Sequence, residues 1–313
     1  PPQLFMRGGD ASHVMFIIDG VPVYDVSWTQ RTLNLNSLDI SNVKRIEILK
    51  GGQTVLYGGQ ALVGVIKIET FGVELKNQST AVLTGSLPDG DKRIFQDRRV
   101  GASHELLVAD DSGAKISGRL MERKNESPIL NSTKFYNQSN RNLDLAFEKR
   151  GPLSMQLRGF WFNDKSINPT TVNNMGQQSL ADSDVERQDE QAGASASFKF
   201  NQLLFQPQVG LYTQKGWRYF YSAPNSASVD ARFRSGLQGA LLNLNLFDSE
   251  MIRLKSGFSY QKEEFYLDDS TATLSVNPRT ADRIDEILGA YAHLQFRPIG
   301  PILFEAGTRV EKA

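Results

Sequence analysis

From about residue 77 onward, apolar and polar side chains alternate along the chain with a period of two. Residues 143–147, 242–246 and 288–296 show this pattern, and it recurs in about eleven segments up to residue 310. A period of two is that of a β-strand whose opposite faces meet different surroundings. The pattern therefore predicts about eleven strands, each with one apolar face.

The connections between these segments alternate between short and long. Short turns are predicted at 110–113, 150–152, around 201, at 248–250 and at 298–301. Long polar loops are predicted at 124–140, 164–190, 216–230 and 268–285. An up-and-down antiparallel sheet with all its long loops at one end is typical of outer-membrane barrels. A soluble sandwich has no reason to segregate its loops in this way.

The apolar faces need a cover, and the sequence offers no helices to provide one. The longest strongly apolar run is 14–18, whereas a membrane-spanning helix needs about 20 residues and a tilted strand only about 9–11. Taken singly, each segment also fits a half-buried strand of a soluble sheet. Together they favour a transmembrane antiparallel β-barrel. Trp217, Tyr219 and Tyr221 fit its aromatic girdle, or alternatively a ligand contact.

The first part of the chain has a different character. Up to about residue 76, short apolar runs are punctuated by glycine, which predicts a compact α+β unit. We therefore predict two domains, residues 1–76 and residues 77–313. Barrels with a plugged lumen have about 22 strands, so we expect about half of the wall in this chain and further segments beyond both ends.

Composition excludes several functions. The 313 residues carry 35 basic and 35 acidic side chains and no cysteine, which leaves no basic field for nucleic acid and no thiolate metal site. His104 and Glu105 begin an HExxH-like pattern, but Val108 stands where the second histidine is needed. No other catalytic motif is present, so we expect no enzyme, no cofactor and no resident metal. The acidic residues of 182–190 fit either a Ca²⁺ site or, with better odds, a solvated loop.

A series of short motifs in the first 76 residues carries a resemblance. In order they read Met-Arg-Gly at 6–8, Ile-Ile-Asp-Gly-Val-Pro at 17–22, Val-Lys-Arg-Ile-Glu-Ile-Leu-Lys-Gly at 43–51, Leu-Tyr-Gly at 56–58 and Gly-Val-Ile-Lys-Ile at 64–68. The series closely resembles the second half of the plug domain of TonB-dependent outer-membrane receptors. Gly52 departs from the family's usual proline, and Val63 and Lys67 from its usual glycine and asparagine.

The resemblance assigns roles to named residues. It implies that Arg7 and Arg45 form plug–barrel ionic contacts, together with Glu47, which shares a strand face with Arg45; an ordinary surface ion pair is the alternative. Glu305 is the one late carboxylate that we can name as a partner. The resemblance also implies plug turns at Gly8, Asp19, Gly20, Gly51, Tyr57, Gly58 and Gly64. Apical residues that could face a substrate, or simply be solvated, are Asp10, His13, Tyr24, Trp28 and Arg31.

The resemblance also implies a function. We expect active uptake of a scarce nutrient across the bacterial outer membrane, driven by TonB through an N-terminal segment that would precede Pro1. A ferric siderophore is the expected small-molecule substrate, with haem, cobalamin or a glycan as alternatives within the same fold. A passive porin-like barrel and a soluble all-β binding module are the competing interpretations. The expected partners are TonB, outer-membrane lipid and the substrate.

Overall fold

The described part of the chain forms two β-sheets. The computed structural model describes residues 4–27, 31–33, 35, 38, 42–51, 53–70, 72–85, 96–126, 135–169, 184–221, 231–269, 279–299 and 302–312. A four-stranded sheet, here called the small sheet, precedes an eleven-stranded sheet, here called the wall sheet. No helix in these ranges has the length and apolarity to cross a membrane.

The small sheet is mixed, with strand order β2-β1-β4-β3. Its elements are a 3₁₀ turn at Ala11–His13, β1 at Val14–Ile18, β2 at Val21–Pro22, β3 at Val43–Lys50, the one-turn helix α1 at Thr54–Tyr57 and β4 at Gly64–Thr70. Strand β1 pairs in parallel with β4, and β4 pairs antiparallel with β3.

The two central strands of the small sheet carry its core. Phe16 and Ile68 pack in one buried cluster, and Met15 and Val65 pack in another on the opposite face. A strand that is buried on both faces needs a continuous apolar run rather than an alternating one. This requirement explains why β1 reads Val-Met-Phe-Ile-Ile.

The wall sheet is an antiparallel meander in which neighbours in sequence are neighbours in space, from β5 to β15. Its strands are β5 at Gln78–Gly85, β6 at Gln96–Ala109, β7 at Ser112–Glu126, β8 at Phe135–Lys149, β9 at Leu153–Pro169, β10 at Asp184–Phe200, β11 at Gln208–Tyr221, β12 at Ala231–Asp248, β13 at Ile252–Asp269, β14 at Arg279–Phe296 and β15 at Phe304–Lys312. The prediction of about eleven strands is confirmed. Within the described residues, β5 and β15 each pair on one side, so the wall is a partial barrel.

The strands are longer than the alternation predicted. Strands β12, β13 and β14 have 18 residues each, and β10 begins inside the segment that was predicted as a loop at 164–190. The predicted loop bounds were therefore wrong by up to several residues at each strand end. Polar side chains occupy both faces there, so the sequence shows no alternation although the backbone ladder continues.

The outward face of the wall carries an apolar band next to the short turns. Arg218 and Glu263 contact the small sheet's loops and so mark the inward face, and residues that alternate with them face outward. On β14 the band covers 288–296, about half of that strand's 18 residues. Its side chains are exposed, as Leu288 at 56% shows. Nine to eleven residues is about the length that a tilted strand needs to cross the hydrocarbon layer.

Short turns join the strands at the banded end. Two residues separate β6 from β7, and three separate β8 from β9 and β12 from β13. We call this the short-turn end and the other the far end. The small sheet ends at Thr70 and the wall begins at Gln78, so the predicted boundary at residue 76 falls between them and stays a prediction.

Candidate functional site

The segment that follows β1 reaches across to the inward face of the wall. We call residues 19–27 and 31–33 the apical segment. Its side chains meet three different wall strands, β9, β11 and β13, through three separate polar contacts.

Asp19 makes the first of these contacts. It sits at the turn between β1 and β2 with φ of 48°. Its carboxylate accepts hydrogen bonds from the backbone N–H of Thr70 at 2.9 Å and from its hydroxyl at 2.8 Å. The same carboxylate forms an ion pair with Arg158 on β9, whose guanidinium also lies 3.8 Å from Asp144. One side chain therefore joins the β1–β2 turn, the end of β4 and the wall.

Arg218 on β11 makes the second contact, and it is buried. Its side chain is 4% exposed and lies between the carboxylates of Asp25, in the apical segment, and Asp189, on β10. The Nε atom donates to Asp189 Oδ1 at 2.7 Å, and an Nη atom donates to Asp25. Asp189 also pairs with Arg187. Because charges so poorly solvated are costly unless paired, this cluster depends on its geometry.

Glu263 on β13 collects the third set of contacts, and its side chain is 1% exposed. The hydroxyl of Tyr24 donates to Glu263 Oε1 at 2.5 Å, and the amide of Gln261 donates to the same oxygen at 2.8 Å. Arg31 lies with its guanidinium 2.9 Å from Glu263 Oε2 and 3.6 Å from Asp285. Two of the five predicted apical residues, Tyr24 and Arg31, therefore bind one wall carboxylate.

Burial and the neighbouring carboxylate both act on Tyr24. The ring is 3% exposed, and desolvation followed by the negative charge of Glu263 raises its pKa well above the ordinary 10.0. The phenol therefore stays protonated as a donor to Glu263.

Apolar packing supports the same junction. Val21 and Tyr24 form one buried cluster with Tyr212 on β11 and Leu237 on β12. Leu237 is 1% exposed, although it lies on the inward face of a wall whose inward residues are mostly polar. Burying such a side chain stabilises the contact by about 1.5–3 kcal/mol. The apical segment is therefore held to β9–β13 by both charge and packing.

Comparisons with known proteins agree with this geometry. Residues 1–65 match the model of the TonB-dependent Receptor Plug Domain family. Over 106 residues, 34% of this chain and 17% of the relative, the chain is 28% identical to the vitamin B12 transporter BtuB of Vibrio vulnificus (strain CMCP6). Its fold superimposes on the siderophore receptor PirA of Acinetobacter baumannii with a TM-score of 0.75 at 14% identity, covering 97% of this chain and 49% of that one. Residues 1–65 therefore belong to the plug-domain family of TonB-dependent receptors, and the chain as a whole has the fold of these receptors.

A second solved receptor gives the same result. The ferric enterobactin receptor PfeA of Pseudomonas aeruginosa, in complex with enterobactin, aligns with a TM-score of 0.72 at 14% identity over 97% of this chain and 51% of that one. The chain thus spans about half the length of the solved receptors that it matches. In this fold the small sheet is the plug and the wall sheet is part of the outer-membrane barrel. The family consists of receptors and transporters and is not an enzyme class.

The residues that were predicted as plug–barrel ionic contacts have other neighbours. Arg45 on β3 pairs with Glu69 of β4 at 2.7 Å and lies 3.9 Å from Glu47, all within the plug. Glu47 pairs with Lys67 at 3.2 Å. Arg7 is exposed and forms no ion pair with any carboxylate in the described ranges. The described contacts are therefore cross-strand pairs on the β3–β4 face, and a role for these residues against the barrel stays a prediction.

Most of the predicted plug turns adopt conformations that favour glycine. The φ angles are 75° at Gly8, 86° at Gly20, 101° at Gly51 and 94° at Gly58. Of the other predicted residues, Tyr57 is the last residue of α1 and Gly64 is the first of β4. A Cβ on Gly64 would lie 2.6 Å from the carbonyl oxygen of Leu49, so the close approach of two strands requires glycine there.

Two further apical candidates, Asp10 and His13, lie away from the wall contacts. Asp10 caps the 3₁₀ turn by accepting from the backbone N–H of Ser12 at 2.9 Å, and that bond lowers the pKa of Asp10. His13 ends the same turn. Trp28 lies outside the described residues. These positions are compatible with a ligand contact, which stays a prediction.

The acidic segment near residue 190 is a strand rather than a loop. The side chains of Glu186 and Glu190 point to one face of β10, and that of Asp189 points to the other. Glu186 pairs with Lys165, and Glu190 accepts from the indole of Trp161. In the ranges that the structure describes, no group of three or more potential ligands could hold a metal ion. Trp217, Tyr219 and Tyr221 alternate with inward Arg218, which places them outward, as the girdle interpretation requires.

Sequence reasoning missed the wall side of the junction. Arg158, Arg218 and Glu263 carry the contacts to the apical segment, and 139 to 239 residues separate the bonded partners. Each sits at an inward position of an alternating strand, where polar residues are the rule. A charged residue on that face carries no local sign of being buried, so the missing signal is three-dimensional.

Proposed function

We propose that this protein imports a scarce nutrient across the bacterial outer membrane with energy delivered by TonB, and that its substrate is a ferric siderophore. The observation that carries the proposal is a plug-family domain fixed to the inward face of a transmembrane wall by three charged junctions. A plug held in this way closes the lumen at rest. Transport therefore requires an input that rearranges it.

The position of the apical segment supports capture of the substrate on the far side. Arg218 lies three residues before the far end of β11, and Glu263 lies six residues before the far end of β13. Because long outer loops join barrel strands on the extracellular side, the far end faces outward. Arg31 and Asp285, whose side chains are 28% and 26% exposed beside Glu263, could hydrogen-bond an oxygen-rich ligand. Asp10, His13 and Trp28 stay predicted substrate contacts.

The choice of substrate follows the relatives. The solved proteins that match over nearly the whole chain include receptors described as taking siderophores and ferric enterobactin, and the curated relative is a vitamin B12 transporter. We assign residues 1–76 to the plug and 77–313 to the barrel in this scheme. TonB would act through a segment N-terminal to Pro1.

The test uses the full-length gene in a host from which the native copy is deleted, with and without a functional TonB. Uptake of ⁵⁵Fe-labelled ferric enterobactin and of ⁵⁷Co-labelled vitamin B12 is measured under iron limitation, and surface binding is measured separately at 0 °C. We expect receptor-dependent ⁵⁵Fe uptake that stops without TonB, while surface binding remains.

Other outcomes would change the assignment. Uptake that continues without TonB would indicate a passive porin-like barrel. TonB-dependent uptake of cobalt alone would retain the mechanism and replace the siderophore by a cobalamin. Binding without uptake in either strain would contradict import altogether.

A further inference from the structure

The plug is held unevenly by the wall. On the β8–β11 side, inward Phe162 is 2% exposed, and the space left between plug and wall is a cavity of about 90 Å³. On the β12–β15 side a cavity of about 500 Å³ separates the plug from the wall. We call the larger space the lateral cavity.

Polar groups line the wall side of the lateral cavity. The hydroxyl of Tyr291 donates to Asn243 at 2.8 Å. Arg309 donates to Ser259 at 2.8 Å. Lys255 lines the cavity as well, and no carboxylate in the described part of the chain pairs with its ammonium. Because Arg309 is neutralised by Glu311 at 2.7 Å, Lys255 gives the lining an excess positive charge.

The helix α1 closes the cavity on the plug side. It is a single turn of four residues followed by glycine, and in the described part of the chain its main wall contacts are with β14 and β15. A Cβ built on Gly307 of β15 would lie 2.7 Å from a methyl group of Val55. In the same way, a Cβ on Gly58 would lie 2.8 Å from a carboxylate oxygen of Glu311. The contact is close, but it contains no buried ion cluster like the one around Arg218.

We propose that the lateral cavity is a second substrate site, which receives an oxygen-rich anionic solute after it leaves the apical segment, and that α1 is the gate below it. The inference rests on the proposed function. A volume of about 500 Å³ suits a solute of several hundred daltons. Amide and hydroxyl groups hydrogen-bond its oxygens, and Lys255 supplies a counter-charge. The space between plug and wall on the β8–β11 side, about 90 Å³, is too small for such a solute.

The first test narrows the cavity in the full-length receptor. Ser259→Phe places a ring inside it, and Lys255→Gln removes the unpaired charge. The matched control is Ser117→Phe, the same substitution at an inward position on β7 outside the lining. With ⁵⁵Fe-labelled ferric enterobactin we expect uptake to fall at least tenfold in Ser259→Phe and severalfold in Lys255→Gln. Surface binding at 0 °C should keep its Kd in both, and Ser117→Phe should transport normally.

The second test fixes the gate. These 313 residues contain no cysteine, so Val55→Cys with Gly307→Cys introduces a single pair at a separation that suits a disulfide. The matched control joins Val73→Cys to Gly113→Cys, a valine–glycine contact with the same 2.7 Å approach that links the segment before β5 to the wall. We expect the first disulfide to stop uptake and leave binding intact, with recovery on reduction, while the control pair transports throughout.

The outcomes separate the gate and the cavity from transport itself. If wild-type receptor shows no TonB-dependent uptake, the proposed function fails, and the inference fails with it. If wild type transports while the oxidised Val55–Gly307 pair or Ser259→Phe transports equally well, the lateral cavity is not on the route and the inference alone is overturned. A Val55–Gly307 pair that never oxidises would contradict the α1–β15 contact.

Discussion

Replacing Arg218 by methionine should loosen the apical segment more than any other single change at this junction. Arg218, Asp25 and Asp189 are each 4–5% exposed in their side chains, so water solvates none of the three charges well. Methionine keeps much of the packing volume and removes the cation. Asp25 then faces the wall without its partner, and Asp189 keeps only Arg187.

The magnitude follows from the burial. Removing one partner of a buried ion pair costs about 3–5 kcal/mol, because the remaining charge stays desolvated. At about 1.4 kcal/mol for each factor of ten, the open population of the apical segment should rise about 100- to 4,000-fold. Asp25→Asn should raise the open population less, about tenfold, because Arg218 keeps its 2.7 Å hydrogen bond to Asp189.

The assay measures that open population directly. Thr32 is 3% exposed, and its carbonyl accepts from the backbone N–H of Asp25 at 3.2 Å, so a Thr32→Cys reporter is protected while the segment is docked. The rate of maleimide labelling in the full-length receptor then reports local opening. The matched control is Arg253→Met, which breaks an ion pair to Asp248 whose side chains are 57% and 61% exposed and should leave the rate unchanged. A labelling rate for Arg218→Met within twofold of the parent would refute the reasoning.

Three further predictions concern the plug and the wall. The pKa of Tyr24 is raised in the docked state, so as the pH rises the phenol ionises more readily in the opened segment than in the docked one, and high pH favours opening. The labelling rate of the Thr32→Cys reporter, corrected for thiol reactivity, should therefore be flat from pH 7 to 9 and rise up to about tenfold per pH unit above about 10. Tyr24→Phe should abolish the rise. Gly20→Ala adds a Cβ at φ of 86° with no neighbour within 4 Å, so backbone strain alone should destabilise the plug by about 1–2 kcal/mol in calorimetry. Ala292→Arg puts a charge into the outward apolar band and should cost about 2–4 kcal/mol in urea unfolding from vesicles, whereas Glu286→Arg, above the band, should cost about 0–1 kcal/mol.

Each of these has a contrary result. A rise in labelling that survives Tyr24→Phe would assign the titration to another group. An unchanged calorimetric transition in Gly20→Ala would mean that the β1–β2 turn relaxes without cost. Equal costs for Ala292→Arg and Glu286→Arg would place the edge of the lipid layer higher on the wall than the apolar side chains do.

The wall could be predicted from the sequence because lipid imposes a local rule. Outward side chains within the band are mostly apolar, so residues such as Leu242 and Leu288 repeat with a period of two however the barrel closes. Beyond the band both faces meet water, and the rule lapses. The far parts of β10 and β14 therefore read as loops, although their ladders continue without interruption.

The junction between plug and wall could not be predicted in the same way. Asp19 was identified as a turn residue, and it adopts a turn conformation. The same side chain also forms the ion pair to Arg158, which the turn motif does not indicate. Tyr24 and Arg31 were identified as apical, but their shared partner Glu263 lies more than 200 residues away. Such pairs leave no periodic trace, and only the folded chain brings them together.

The length of the strands has a consequence for how such a receptor can change its ligand. Eighteen residues at about 3.3 Å each and a tilt of about 45° rise about 40 Å, whereas the hydrocarbon layer is about 30 Å thick. The top of the wall is thus a collar of hydrogen-bonded backbone that stands clear of the bilayer. The collar sets the width of the barrel's outer opening independently of the segments that join its strands at the far end. Those segments can accumulate substitutions and insertions, and hence new specificities, while the width of the opening and the contacts between plug and wall stay unchanged.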